Sequence, residues 1–159
     1  MDRYNKIKGK IKIFAEILLM VCYFLPISKC TYYEDENGHR IPYDQLEEYT
    51  GEVVEIVQVD YPYDNFSLSK LDSWTTLFIF IWPILLLSIV KFMKNKIVLI
   101  IYKIVEIVLI IYSILIIEFM ATFLADSRAY GAYLAFFALG IYSIVILIDI
   151  GLKIRKRFT

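Results

Sequence analysis

Four ionisable residues lie inside otherwise apolar stretches of this sequence: Glu16, Lys103, Glu106 and Asp149. A charge surrounded by hydrocarbon is costly, so it persists where it pairs, stays hydrated, or holds a proton, a cation or a cationic ligand. Lys103 and Glu106 stand three residues apart on one helical pattern and can pair along it. At about 100° per residue, Tyr102, Lys103, Glu106 and Ser113 share an arc that is expected to face protein rather than lipid. Gly131, Ala135, Ala138 and Tyr142 form a second stripe that continues to Asp149. Small residues there let another backbone approach closely. This stripe is expected to meet the Lys103 helix, with Asp149 close enough to Lys103 to pair. The plainer reading of the cluster is a structural ion pair with a snorkelling lysine. The sharper reading is a proton or cation site, because three carboxylates face one lysine.

The elements that position these groups follow from composition. The chain has 159 residues, 59% of them hydrophobic, and a mean hydropathy of +0.61. That is more apolar surface than a soluble core of this size uses. A bilayer core about 30 Å thick needs about 20 apolar residues per helix. Four segments qualify, namely 11–27, 74–90, 97–120 and 130–152. The expected fold class is an all-α membrane protein, a bundle of four transmembrane helices with a small acidic outer loop. A basic tail spans 1–10, the acidic loop 28–72, a tight turn 91–96, an outer turn 121–129 and a second basic tail 153–159. Tyr32, Tyr33, Trp74, Tyr130 and Tyr133 fall at the outer ends, where amphipathic rings favour the headgroup region. Trp82-Pro83 removes a backbone bond from the second span and predicts a kink.

Charge placement gives the orientation. Lys plus Arg and Asp plus Glu balance at 17 each, but they are segregated. Arg3, Lys6, Lys8, Lys10, Lys12, Lys91, Lys94, Lys96, Lys153, Arg155, Lys156 and Arg157 fall on one side of the expected spans. Lys29, Arg40, Lys70 and Arg128 fall on the other. Basic loops stay in the cytoplasm, so both termini are expected inside. Ile27-Ser28-Lys29-Cys30 after a basic, apolar start has the outline of a lipoprotein signal. However, Lys29 replaces the small residue such a signal needs and Glu16 interrupts the apolar run, so the first segment reads as an uncleaved anchor.

The outer segment holds eleven acids against Lys29, Arg40 and Lys70. Tyr32–Glu36 and His39–Tyr43 around Asn37-Gly38 predict a hairpin with a type I′ turn. Pro42 to Tyr49 predicts a short helix stopped by Gly51, and Glu52 to Val59 a strand. Glu34-Asp35-Glu36-Asn37-Gly38 has the acids and the glycine of a calcium loop. Tyr33 breaks the alternating ligand register, so it reads as a solvated turn containing the single His39. Cys22 and Cys30, placed on one helix, would stand about 12 Å apart. That is too far for a disulfide, whose Cα atoms lie within roughly 7 Å.

The chain lacks a phosphate-binding glycine loop, HExxH, GxSxG and Cys/His metal spacing, so no cofactor, metal or catalytic set is expected. The basic segments are short and membrane-adjacent, which reads as lipid contact rather than nucleic-acid binding. No repeat relates the two halves, which argues against an inverted-repeat transporter. Leu25-Pro26 closing the first span and Gly131-Ala132-Tyr133-Leu134-Ala135 opening the last resemble the loose group of small bacterial four-helix inner-membrane proteins. The resemblance implies a bacterial inner membrane and no particular activity. The loop order is also claudin-like, but the tryptophan and paired-cysteine signature of claudin outer loops is missing. The expected function is a non-enzymatic accessory, sensor or assembly partner, acting through the outer loop and helix faces. Its partners would be the bilayer and another membrane protein or a second copy. The alternative is a homo-oligomeric channel or pore with Lys103, Glu106 and Asp149 lining a water-filled path.

Overall fold

The computed structural model describes residues 2–64, 66–90, 96–123 and 126–158. The turn at 91–95 and the side chains of Arg3, Lys96, Lys153, Arg155, Lys156 and Arg157, on which part of the basic clustering rests, lie outside the described residues. The chain is mostly helical, at 65%, with a small sheet. Helix α1 spans Asp2–Cys22, α2 Leu71–Val90, α3 Lys96–Glu118 and α4 Tyr130–Phe158. A π-helical turn, Phe119–Phe123, extends α3.

Three stretches are long and apolar enough to cross a membrane, Leu71–Val90, Ile97–Thr122 and Tyr130–Leu152. No more than 33% of the most apolar stretch of each is buried. Their outward faces carry exposed Phe78, Leu85, Ile104, Val108, Leu115 and Leu147. Such a run of exposed Leu, Ile and Phe far exceeds the apolar patches of soluble monomers. Helix α1 is not among the three, because Lys6, Lys8, Lys10, Lys12 and Glu16 lie along it.

The first helix also ends earlier than the expected limit at Ile27. Tyr23, Phe24 and Leu25 donate to the carbonyls of Met20, Val21 and Cys22, tightening the chain into i→i−3 turns. Pro26 then disfavours helical geometry at Leu25. The chain turns directly into strand β1, Ser28–Glu34. Cys22 and Cys30 therefore do not share a helix: Cys22 closes α1 and Cys30 lies in β1.

Strand β1 is the centre of the sheet. On one side it pairs antiparallel with β3, Val54–Asp60, from Ser28↔Asp60 to Glu34↔Val54. On the other it pairs with β2, Arg40–Ile41, and with β4, Ser127–Arg128. The hairpin between β1 and β2 forms, but not through the expected type I′ turn. That turn needs positive φ at Asn37 as well as Gly38, and only Gly38, at φ 78°, has it. Asp35 replaces that geometry. Its carbonyl accepts from Gly38 N at 3.0 Å, and its Oδ1 accepts from the amides of Asn37 and His39, each at 2.8 Å. The His39 amide bond and its companions hold the Asp35 carboxyl below its ordinary value. The expected helix from Pro42 to Tyr49 shortens to one 3₁₀ turn, Tyr43–Gln45, in which no residue is buried. A segment that covers nothing gains too little from burial to propagate a helix.

The stripe of α4 meets α3 through Tyr142 and Asp149, but it has a second neighbour as well. Helix α4 packs most extensively on α1, and only secondarily on α3. Gly131 N donates to Pro26 O at 2.9 Å and Ala129 N to Ile27 O at 2.8 Å. A Cβ at Gly131 would collide with the Pro26 carbonyl and with Leu25. Helix α3 presents Ile, Val and Leu, whereas the α1 corner presents backbone, and only a glycine lets two backbones meet this closely. Trp82 ties α2 into the bundle, donating its Nε1 to Ser113 Oγ at 2.8 Å and meeting Tyr142 edge-on at 5.6 Å.

Gly131→Ala is expected to destabilise the protein by about 1–3 kcal/mol, because backbone rather than a flexible side chain must yield. Unfolding in detergent measures this, with Gly140→Ala, which meets nothing within 4 Å, as the control.

Candidate functional site

Three helices converge on the Glu106 carboxyl, whose side chain is 0% exposed. Helix α3 is bent to this role by its buried stripe of Tyr102, Glu106, Ile110, Ser113 and Ile117, spaced three or four residues apart. From that stripe Glu106 reaches both neighbouring helices. Its Oε1 accepts from Tyr142 Oη of α4 at 2.5 Å, from Tyr102 Oη at 3.2 Å, and from Lys12 Nζ of α1. Its Oε2 accepts from Lys103 Nζ at 2.8 Å. A carboxylate offers about four lone-pair sites, and here four donors converge on it, three at Oε1 and one at Oε2.

The network extends from that centre. Lys103 Nζ lies 3.8 Å from Asp149 Oδ2, and Lys8 Nζ bonds Asp149 Oδ1 at 2.6 Å. Lys12 Nζ also lies 4.8 Å from the centroid of the Tyr142 ring, within cation–π range. Glu16 is buried beside this set at 2% exposure, but makes no ion pair among the described residues.

The structure thus brings Lys103, Glu106 and Asp149 into one cluster with Tyr142, while Gly131, Ala135 and Ala138 serve the packing of α4. Three carboxylates do not face one lysine. Lys8 and Lys12 join Lys103, so three ammonium groups stand among three carboxyls. These two lysines count among the basic residues read for orientation, and that reading conceals their pairing. Their spacing held the signal, because Lys8, Lys12 and Glu16 recur every four residues in step with buried Ala15, Leu19 and Tyr23. Lys6 and Lys10, out of that register, are exposed.

At the centre of the cluster the Glu106 side chain has no exposed surface, while Lys8 and Lys103 at its margin are about a quarter exposed. An apolar groove between α2 and α3, lined by Trp74, Leu77, Phe78, Ile81, Leu85 and Tyr112, shares no residue with it. Among the described residues no group of three His, Cys, Asp or Glu side chains is arranged to hold a metal ion. The Asp35 carboxylate of the acidic turn is engaged by backbone amides, with His39 Nδ1 3.3 Å from its Oδ2. No protein-family model, curated protein or solved structure matches the chain.

Lys12→Met is expected to cost about 1–3 kcal/mol, because it removes one of the two ammonium donors of a buried carboxylate while Lys103 keeps the other. Adding Glu106→Gln to Lys12→Met is expected to cost less than the two single changes summed, since their partners are shared. Chemical denaturation of the four proteins in detergent gives the coupling, and additive losses would show that the two groups do not interact.

Proposed function

We propose that the chain is a multi-pass protein of a bacterial inner membrane that acts as a non-enzymatic assembly partner, engaging another membrane protein through its outer sheet. The three apolar helices support the membrane setting. The segregation of basic residues to the ends and to the 91–96 turn supports termini on the cytoplasmic side. Helix α1 crosses the bilayer with them, with Lys8 paired inward against Asp149 of α4 and Lys12 against Glu106 of α3.

The observation that carries the assembly reading is the free edge of β3. On its far side no strand pairs with it among the described residues. Val54, Val57 and Val59 along it are 54%, 51% and 37% exposed. An open edge with apolar side chains is a template for one more strand. Eleven acids against three bases in the segment 28–72 favour an extended, basic segment as the occupant. The channel alternative draws no comparable support, because Lys103, Glu106 and Asp149 are spent on one another rather than lining a path.

Three experiments test this reading. In a Cys22→Ser, Cys30→Ser background, Asn37→Cys is expected to be labelled from outside intact cells by a membrane-impermeant thiol reagent and Thr159→Cys is not; the reverse pattern would overturn the orientation. A photo-crosslinking residue at Val59 in native membranes is expected to capture one discrete partner band, lost when Val57→Lys places a charge on the edge. Ion flux through liposomes containing the purified chain, abolished by Glu106→Gln, would replace the assembly reading with the channel.

A further inference from the structure

Glu16 is the one member of the buried cluster region that has been left out of the bonding. Its side chain is 2% exposed, and its Oε1 has no hydrogen-bond partner among the described residues. Its electrostatic neighbours are Lys12 on its own helix, Glu106 and Tyr102 from α3, and Tyr142 from α4. The sole ionisable residue of α2, Asp72, lies ten residues from Trp82, about 15 Å along the helix axis. None of the donors among these neighbours bonds Glu16 Oε1. The Lys12 ammonium and the Tyr102 and Tyr142 hydroxyls all donate to Glu106.

Two buried carboxyls therefore lie in the same region of the protein, and the donors named there bond only Glu106. A buried carboxyl that accepts no hydrogen bond is more stable neutral than ionised, whereas Glu106, with four donors, is fitted to carry the charge. We propose that Glu16 is a proton-binding site, neutral in the arrangement described, with Lys12 as the group that responds when the proton leaves. The site forms and breaks a single O–H bond at Glu16. Its proton exchanges with water at the end of the bundle where Lys8 and Lys12 are 26% and 15% exposed.

Lys12 and Glu16 are four residues apart, so they sit on one face of α1 within reach of each other. When Glu16 becomes a carboxylate, the Lys12 ammonium is drawn from Glu106 toward its own helix, and the ionic tie between α1 and α3 loosens. Helix α1 leads within five residues into β1, the central strand of the sheet. Proton occupancy at Glu16 is thereby coupled to the element that bears the sheet.

Infrared spectroscopy of the full chain in liposomes tests the site. At neutral pH the wild type is expected to show the carbonyl stretch of a protonated carboxylic acid, with the downshift on deuterium exchange that marks an acid proton. Glu16→Gln is expected to remove the band while leaving the helical amide signal. Glu16→Asp keeps a carboxyl there and is expected to shift the band, and Glu118→Gln, paired with Arg128 at the other end, to leave it untouched. Only carboxylate bands in the neutral wild type would overturn the proposal, since they would mean that a water molecule or a cation satisfies Glu16 instead of a proton. A carbonyl band that survives Glu16→Gln in the folded protein would overturn it equally.

Discussion

The arrangement of this protein depends on one buried carboxylate and the groups that neutralise it. Glu106 has no exposed surface, and a lone ionised carboxylate in such a place would be worth several kcal/mol of destabilisation. Its donors come from α1, α3 and α4, so none of the three helices can rotate or slide without breaking a charge-assisted bond. In the lipid setting proposed for the three apolar helices this matters more than in water. Helix association there gains little from hydrophobic burial, because lipid tails are as apolar as the side chains. Polar bonds and close backbone contact set the register instead.

The second of those constraints lies at the opposite end of the bundle. Gly131 meets the Pro26 carbonyl, and β4 pairs with β1 beside it. The connection between α3 and α4 is bound there too, with Arg128 paired to Glu118 and Asp126 Oδ2 accepting from Thr31 N at 2.5 Å. Helices α1 and α4 are thus pinned at one end by backbone contact and at the other by Lys8 and Asp149. Helix α2, which brings no ionisable group to the cluster, is held through Trp82 alone among the buried polar contacts described. Its free face borders the apolar groove shared with α3. These differences explain why α1, the least apolar helix, is the one most deeply involved. Its inward face is paid for in ion pairs that no purely apolar helix could supply.

Much of the fold was legible from residue order. Helices α2, α3 and α4 fall close to the expected segments, because each is an apolar run, broken by few or no charges, that is too long for a strand. The strand at 54–60 followed from β-branched residues in partial alternation, and the 37–38 turn from its glycine. The turn geometry was not legible, because whether Asn37 or the Asp35 carboxylate satisfies the turn amides depends on how β1 and β2 register. The end of α1 was misplaced by reading Ile27 as part of an apolar run, when the Pro26 ring and the pairing of β1 with β3 draw the chain out of the helix first.

The candidate site shows the same division. Amino-acid order determined that Glu16, Lys103, Glu106 and Asp149 lie in apolar segments, that Lys103 reaches Glu106 along one helix, and that Gly131, Ala135 and Ala138 form a close-packing face. These follow from helical periodicity, which is a local property. Tertiary structure alone decided that Lys8 and Lys12 belong to the cluster, that α4 packs more extensively on α1 than on α3 and meets its corner at Gly131, and that Glu16 Oε1 is left without a donor. Those outcomes depend on which helix lies beside which, and on how one set of ammonium and hydroxyl groups is divided among carboxyls brought together from distant parts of the chain.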